Sequence, residues 1–168
     1  MFVGLSQLGD AGLIWLLLAA ALTIGWRRPG PLVLTSIALL GAGVVANALK
    51  LLSGRTRPYV AEPEPPPLVR THLDLTFPSG HSATSFAAAL VLALVIGRRV
   101  PAVALFALAA GVAWSRVYVG VHYPSDVLLG SLLGLAIGGA TFALAPRVRA
   151  LRRPAAVPRR SRRAPPPG

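Results

Sequence analysis

The strongest constraint on this chain is a series of long apolar runs without one ionisable side chain, at roughly 11–26, 31–49, 82–97, 100–114 and 127–145. A helix of a soluble domain carries an apolar stripe and a polar face. A run that is apolar all round needs an apolar medium on every side. A helix takes about 20 residues to cross the hydrocarbon core, so the second and fifth runs span readily, whereas the first, third and fourth must recruit flanking residues. A positive mean hydropathy of +0.65 points the same way. The expected fold is all-α: a polytopic transmembrane helical bundle of five or six spans occupying residues 1–146.

The breaks between runs set the topology. Trp26-Arg27-Arg28-Pro29-Gly30 and Gly97-Arg98-Arg99 read as tight turns, because Gly and Pro interrupt helices and arginine seeks water. The longer connections, 53–80 and 115–126, then lie at the opposite surface, the first carrying Glu62, Glu64, Pro63 and Pro65 to Pro67 as an irregular polar loop. No Lys or Arg precedes the first run and no convincing cleavage site follows it, so an uncleaved span is expected rather than a signal peptide. The surface holding Arg27, Arg28, Arg98, Arg99 and the tail has twelve arginines, against five basic residues (Lys50, Arg55, Arg57, Arg70, Arg116) on the other. By the positive-inside rule the tight turns and the tail face the cytoplasm and the long loops face outward. The segment 147–168, rich in Arg, Pro and Ala, cannot bury enough surface to fold and reads as a disordered, solvated basic tail. The net charge of +12 therefore reports topology, and no nucleic-acid partner is expected.

The polar residues that remain fall in three clusters in or beside the long loops: Lys50 to Pro58, Phe77 to Ser82, and Ser115 to Asp126. Their common chemistry is anion handling. Lys50 is the only lysine, and Arg57 and Arg116 offer planar forks that match phosphate oxygens. Ser79 precedes a long apolar helix, where it can cap while the free N–H groups of Gly80 and His81 face an oxyanion. Asp126 follows His122 by four residues, so its carboxylate can take one ring nitrogen and leave the other as a nucleophile. His81 is placed to protonate a leaving oxygen.

Each residue also has a plain alternative. Lys50 or Arg55 alone reads as a basic side chain snorkelling to the interface, Pro-Ser-Gly as a turn before a helix, and His72 and Asp74 as loop residues without a role. With no cysteine and only His72 and His81 beside His122, neither a closed zinc site nor any other cofactor is expected.

Taken together, the clusters resemble the three-part signature of the type 2 phosphatidic acid phosphatase superfamily: K-x6-R-P, then P-S-G-H, then S-R-x5-H-x3-D. Every fixed position is met, by Lys50, Arg57 and Pro58, by Pro78 to His81, and by Ser115, Arg116, His122 and Asp126. The resemblance covers residues 50–126. It implies a metal-independent membrane phosphatase working through phosphohistidine, with His122 as nucleophile, Asp126 as its orienting partner and His81 as acid. It gives Lys50, Arg57, Ser79, Gly80 and Arg116 the task of holding phosphate. The implied substrates are lipid phosphates or diphosphates: polyprenyl (di)phosphate, phosphatidate or phosphatidylglycerophosphate. Five spans look like a shortened form of the family's six-helix core, which leaves room for a partner subunit or a second copy to complete the bundle. Two other classes compete. A vanadate-dependent haloperoxidase shares the anion site but belongs to large soluble relatives. A non-enzymatic lipid-phosphate binding or transport protein has no use for His122, Asp126 and His81 together.

Overall fold

The computed structural model of the chain describes residues 12–61 and 75–145, and among them every regular element is helical. Five long helices follow the five apolar runs: α1 Leu13–Trp26, α2 Gly30–Ser53, α4 Gly80–Ile96, α5 Arg99–Tyr118 and α6 Pro124–Leu144. A single turn, α3 Pro58–Ala61, follows α2. Three of the helices, α2, α5 and α6, are long and apolar enough to cross a membrane. Helices α1, with 14 residues, and α4, with 17, are apolar but shorter. The basic tail, the Pro-rich stretch with Arg70, His72 and Asp74, and the N-terminal residues before Gly12 lie outside the described residues.

Both arginine-flanked turns are tight. The first closes through Arg27 in the left-handed region (φ 52°), with Arg28 N–H donating to the Thr23 carbonyl, and Gly97 (φ 68°) ends α4 in the same way. One expectation is corrected here. Arg116 marks water by composition, yet α5 continues through it to Tyr118, so only five residues separate α5 from α6. Arg116 is 6% exposed, shielded within the polar cluster described below rather than by solvent.

Packing is inverted relative to a soluble bundle. The buried positions are dominated by small residues, among them Ala38, Ala42, Ala46, Ala83, Ala87 and Ala88, while Leu40, Val44, Leu51, Leu52 and Val103 face outward. With lipid as the surrounding medium, burying a leucine gains little, and close approach of helices through small residues supplies the attraction. The seam between α4 and α6 shows this most clearly. Gly130, Gly134 and Gly138 recur every fourth residue along α6, and a methyl group added to any of them would collide with α4 backbone. At Gly130 the added carbon would lie 2.5 Å from the Ser79 carbonyl oxygen, and at Gly138 2.7 Å from that of Ala87. Trp15 on α1 is fully buried and donates from its indole to Ser85 Oγ on α4 at 3.2 Å. Helix α4 therefore occupies the centre, contacted by α1, α2, α5 and α6.

Chain direction fixes where the polar clusters meet. The Ser79 N–H at the start of α4 donates to the Asp126 carbonyl at the start of α6 (3.0 Å), and Ser53 Oγ at the end of α2 reaches the Phe77 carbonyl (3.0 Å). The C-terminal ends of α2 and α5 and the N-terminal ends of α4 and α6 thus converge at one end of the bundle, and the two arginine turns lie at the other.

Candidate active site

At the convergent end the chain gathers three short stretches around one carboxylate. Asp126 is the third residue of α6 and fully buried. Its Oδ2 accepts from the Tyr123 N–H at 2.9 Å, an N-terminal cap that the helix needs in any case, and from the Thr76 hydroxyl at 2.6 Å. Its Oδ1 accepts from Arg55 Nη1 at 2.7 Å. The Arg55 guanidinium also lies 4.2 Å above the Tyr123 ring and donates to Ser125 Oγ. A buried carboxylate needs its lone pairs satisfied, and three donors on two oxygens meet that need.

His122 stands on the loop between α5 and α6, 3% exposed. Its Nδ1 is 3.6 Å from Asp126 Oδ2, beyond hydrogen-bond length, and 3.1 Å from Thr76 Oγ1. The loop is held by Val121 and His122 N–H groups that both donate to the Arg116 carbonyl at 3.2 Å, and by Arg57 Nη1 donating to the Val121 carbonyl at 3.1 Å. Burial pushes the imidazole below its ordinary titration range, and the charges of Arg57 and Arg116 push it further, against the opposing pull of Asp126. The neutral ring is the form that carries a free lone pair.

Ser79 is the N-cap of α4. Its Oγ accepts from the Ser82 N–H (3.4 Å) and from the Ser82 hydroxyl (3.0 Å), which orients the first turn of a 17-residue helix. The positive ends of α4 and α6 meet the same polar cluster as Arg57 and Arg116, so charge and dipole both favour an anion there. Lys50, Gly80 and His81 line a cavity of about 620 Å³ that continues along α2 past Asn47, Gly43 and Leu40 to Leu16 on α1. His122, Asp126, Arg57 and Arg116 lie outside that lining.

The residues singled out in the sequence thus fall into two adjoining groups. His122, Asp126, Arg57, Arg116 and Ser79 form a buried set connected through the α5–α6 loop, and Lys50, Gly80 and His81 form the wall of the cavity. Two residues were not singled out for this site. Arg55, read as an interfacial cation, pairs with Asp126, and Thr76 sits between the histidine and the carboxylate. Arg55 is two residues from Arg57 and Thr76 two before Pro78, so adjacency to the signature was the available signal. Among the described residues no group of three or more His, Cys, Asp or Glu side chains is placed to hold a metal ion.

Residues 31–150 match the family model described as the PAP2 superfamily. The chain is similar to decaprenylphosphoryl-5-phosphoribose phosphatase of Mycobacterium tuberculosis, 38% identical over 137 residues that cover 80% of this chain and 73% of that protein. Among solved structures it resembles a transmembrane PAP2 type phosphatidylglycerolphosphate phosphatase from Bacillus subtilis, with a TM-score of 0.72, 25% identity, and coverage of 90% of this chain and 78% of that one. It also resembles LpxE of Aquifex aeolicus, with a TM-score of 0.74, 29% identity, and coverage of 84% and 83%.

Proposed function

This chain belongs to the PAP2 superfamily, and on that premise we propose that it is an integral membrane lipid phosphatase in which His122 takes the phosphoryl group from a lipid-linked ester or anhydride. The observation that carries the reading is the buried His122, whose neutral form is favoured by burial, with one ring nitrogen directed toward the Thr76 and Asp126 pair and the loop that holds it bonded to Arg57 and Arg116.

In the proposed reaction the phosphate lies among Arg57, Arg116, Lys50 and the amides that open α4 at Ser79 and Gly80. His122 Nε2 forms a bond to phosphorus as the bond to the lipid oxygen breaks, and His81 gives that oxygen a proton. Water then attacks the phosphohistidine, His81 accepts its proton, and inorganic phosphate leaves with the imidazole restored. Fixed cations around the transferring group stabilise charge where it develops. The mycobacterial relative favours a polyprenyl-linked phosphate as substrate, and the partly apolar cavity beside Lys50 and His81 suits a head group whose chain remains in the bilayer. The count of twelve basic residues against five supports an outward-facing site and a cytoplasmic tail.

The test is phosphate release in detergent from a panel of lipid phosphates and diphosphates with EDTA present, comparing wild type with His122→Ala. Release by wild type and a loss of about a thousandfold or more in the variant are expected, since the bond-forming atom is gone. Equal release by both proteins, or release that needs an added divalent ion, would overturn the mechanism.

A further inference from the structure

We propose that Thr76 is a positioning residue for the nucleophile, its hydroxyl bridging a gap between His122 and Asp126 that the two side chains leave open. The inference rests on the reading of His122 as nucleophile. Nδ1 and Oδ2 are 3.6 Å apart, too far for an N–H···O bond, whereas Thr76 Oγ1 is 3.1 Å from the nitrogen and 2.6 Å from the oxygen.

A hydroxyl has one proton and two lone pairs, and a carboxylate only accepts. Asp126 accepts from the Arg55 guanidinium on Oδ1 and from the Tyr123 N–H on Oδ2, contacts that a carboxylate makes, so the Thr76 proton points to Oδ2 and Nδ1 must be the donor to Oγ1. That assignment fixes the tautomer and leaves Nε2 bare, as the attack on phosphorus requires. When the P–Nε2 bond forms and the P–O bond breaks, the ring becomes cationic and the leaving oxygen takes its proton from His81. No proton crosses Thr76. Its hydroxyl, polarised by the carboxylate, strengthens its hold on Nδ1–H as positive charge grows on the ring.

The position of Thr76 is itself determined. The residue is fully buried, and its N–H donates to the Arg55 carbonyl at 3.0 Å. A pair of hydrogen-bonded residues thus addresses both oxygens of one carboxylate, Arg55 on Oδ1 and Thr76 on Oδ2. A β-branched side chain adds stiffness at χ1.

The experiment compares Thr76→Val, which keeps the shape and removes the hydroxyl, with Thr76→Ser, which keeps the hydroxyl. Rates of lipid phosphate hydrolysis and trapping of ³²P on the enzyme are measured for both, and ¹⁵N shifts of the His122 ring are read in the wild type. Thr76→Val is expected to lower kcat and phosphoenzyme formation by about 10- to 100-fold, the usual cost of losing an outer hydrogen-bond partner, with KM little changed. Thr76→Ser is expected to recover most of that loss. The ring shifts are expected to show a protonated Nδ1 and a bare Nε2, a result that needs no variant to fold. Near-normal kcat in Thr76→Val, equal impairment in the serine variant, or the opposite tautomer overturns the role of Thr76. If His122→Ala instead retains turnover and wild type traps no phosphate, the reading of His122 fails, an outcome distinct from these.

Discussion

Gly130→Ala changes one hydrogen for a methyl group about one helical turn below Asp126, and the structure says how far that methyl must push. Its carbon would sit 2.5 Å from the Ser79 carbonyl oxygen, while ordinary contact begins at 3.4 Å, so the helices must separate locally by about 0.9 Å. The obstacle is backbone, which has no rotamer into which to retreat. The same two helix starts are joined by the Ser79 N–H···O bond to Asp126 at 3.0 Å, and a displacement of that size along the bond would break it. Asp126 would then move relative to Thr76 and His122. A misplacement near 1 Å costs about a hundredfold in rate, and overpacking a tight seam costs about 1–3 kcal/mol of stability. The expected variant is therefore folded, less stable and slower by about two orders of magnitude in phosphate release. The matched control is Gly111→Ala on α5, where the added methyl meets nothing within 4 Å. There the gain in helix propensity, about 1 kcal/mol, should raise the melting temperature and leave turnover alone. Both proteins would be purified in detergent, with thermal unfolding and lipid phosphate hydrolysis measured side by side. Gly130→Ala within about threefold of wild-type activity would refute the coupling of this seam to the site.

Because burial and the neighbouring arginines lower the titration of His122 from 6.5, the acidic limb of phosphoenzyme formation is expected below pH 6.5, and a His122-dependent limb above that value would contradict it. The same shift means the unfolded chain binds more protons than the folded one just below pH 6.5, so stability should fall on acidification through that window and stay level above it. Thermal unfolding of wild type against His122→Gln, which should flatten the dependence, checks this. Since the chain has no cysteine, a single Cys at exposed Ala61 reports sidedness cleanly. An impermeant maleimide is expected to label it in intact cells, and labelling only after permeabilisation would invert the proposed topology.

Much of the architecture was legible because apolar runs and Gly/Pro breaks are local signals. The five long helices start and stop near the limits of those runs. The largest departures, the extension of α2 to Ser53 past Lys50 and of α5 to Tyr118 past Arg116, arise because a basic side chain ends an apolar run without ending the helix, and at Arg116 the fold supplies polar surroundings in place of solvent. His122 and Asp126 were readable from spacing across one loop and one helix start. Thr76 was not, because it is 46 residues from His122 and 50 from Asp126, and nothing in an ordinary threonine before Phe-Pro announces a long-range bond. Arg55 resembled many interfacial cations until the fold set a carboxylate against it. The Gly130, Gly134 and Gly138 periodicity was present in the sequence and identifies a close helix contact, but its partner helix is known only from the packing.

Helix α4 is capped at both ends, by Ser79 and Gly97, so its 17 residues fix a length of about 25 Å. A typical hydrocarbon core is about 30 Å thick. A central post shorter than its surroundings means that at least one end lies beneath the level of the lipid carbonyls, or that the bilayer thins around the protein. If the recessed end is the one bearing Ser79 and His81, a phosphate must sink a few ångströms to be cleaved, and membrane thickness becomes a determinant of turnover alongside the chemistry.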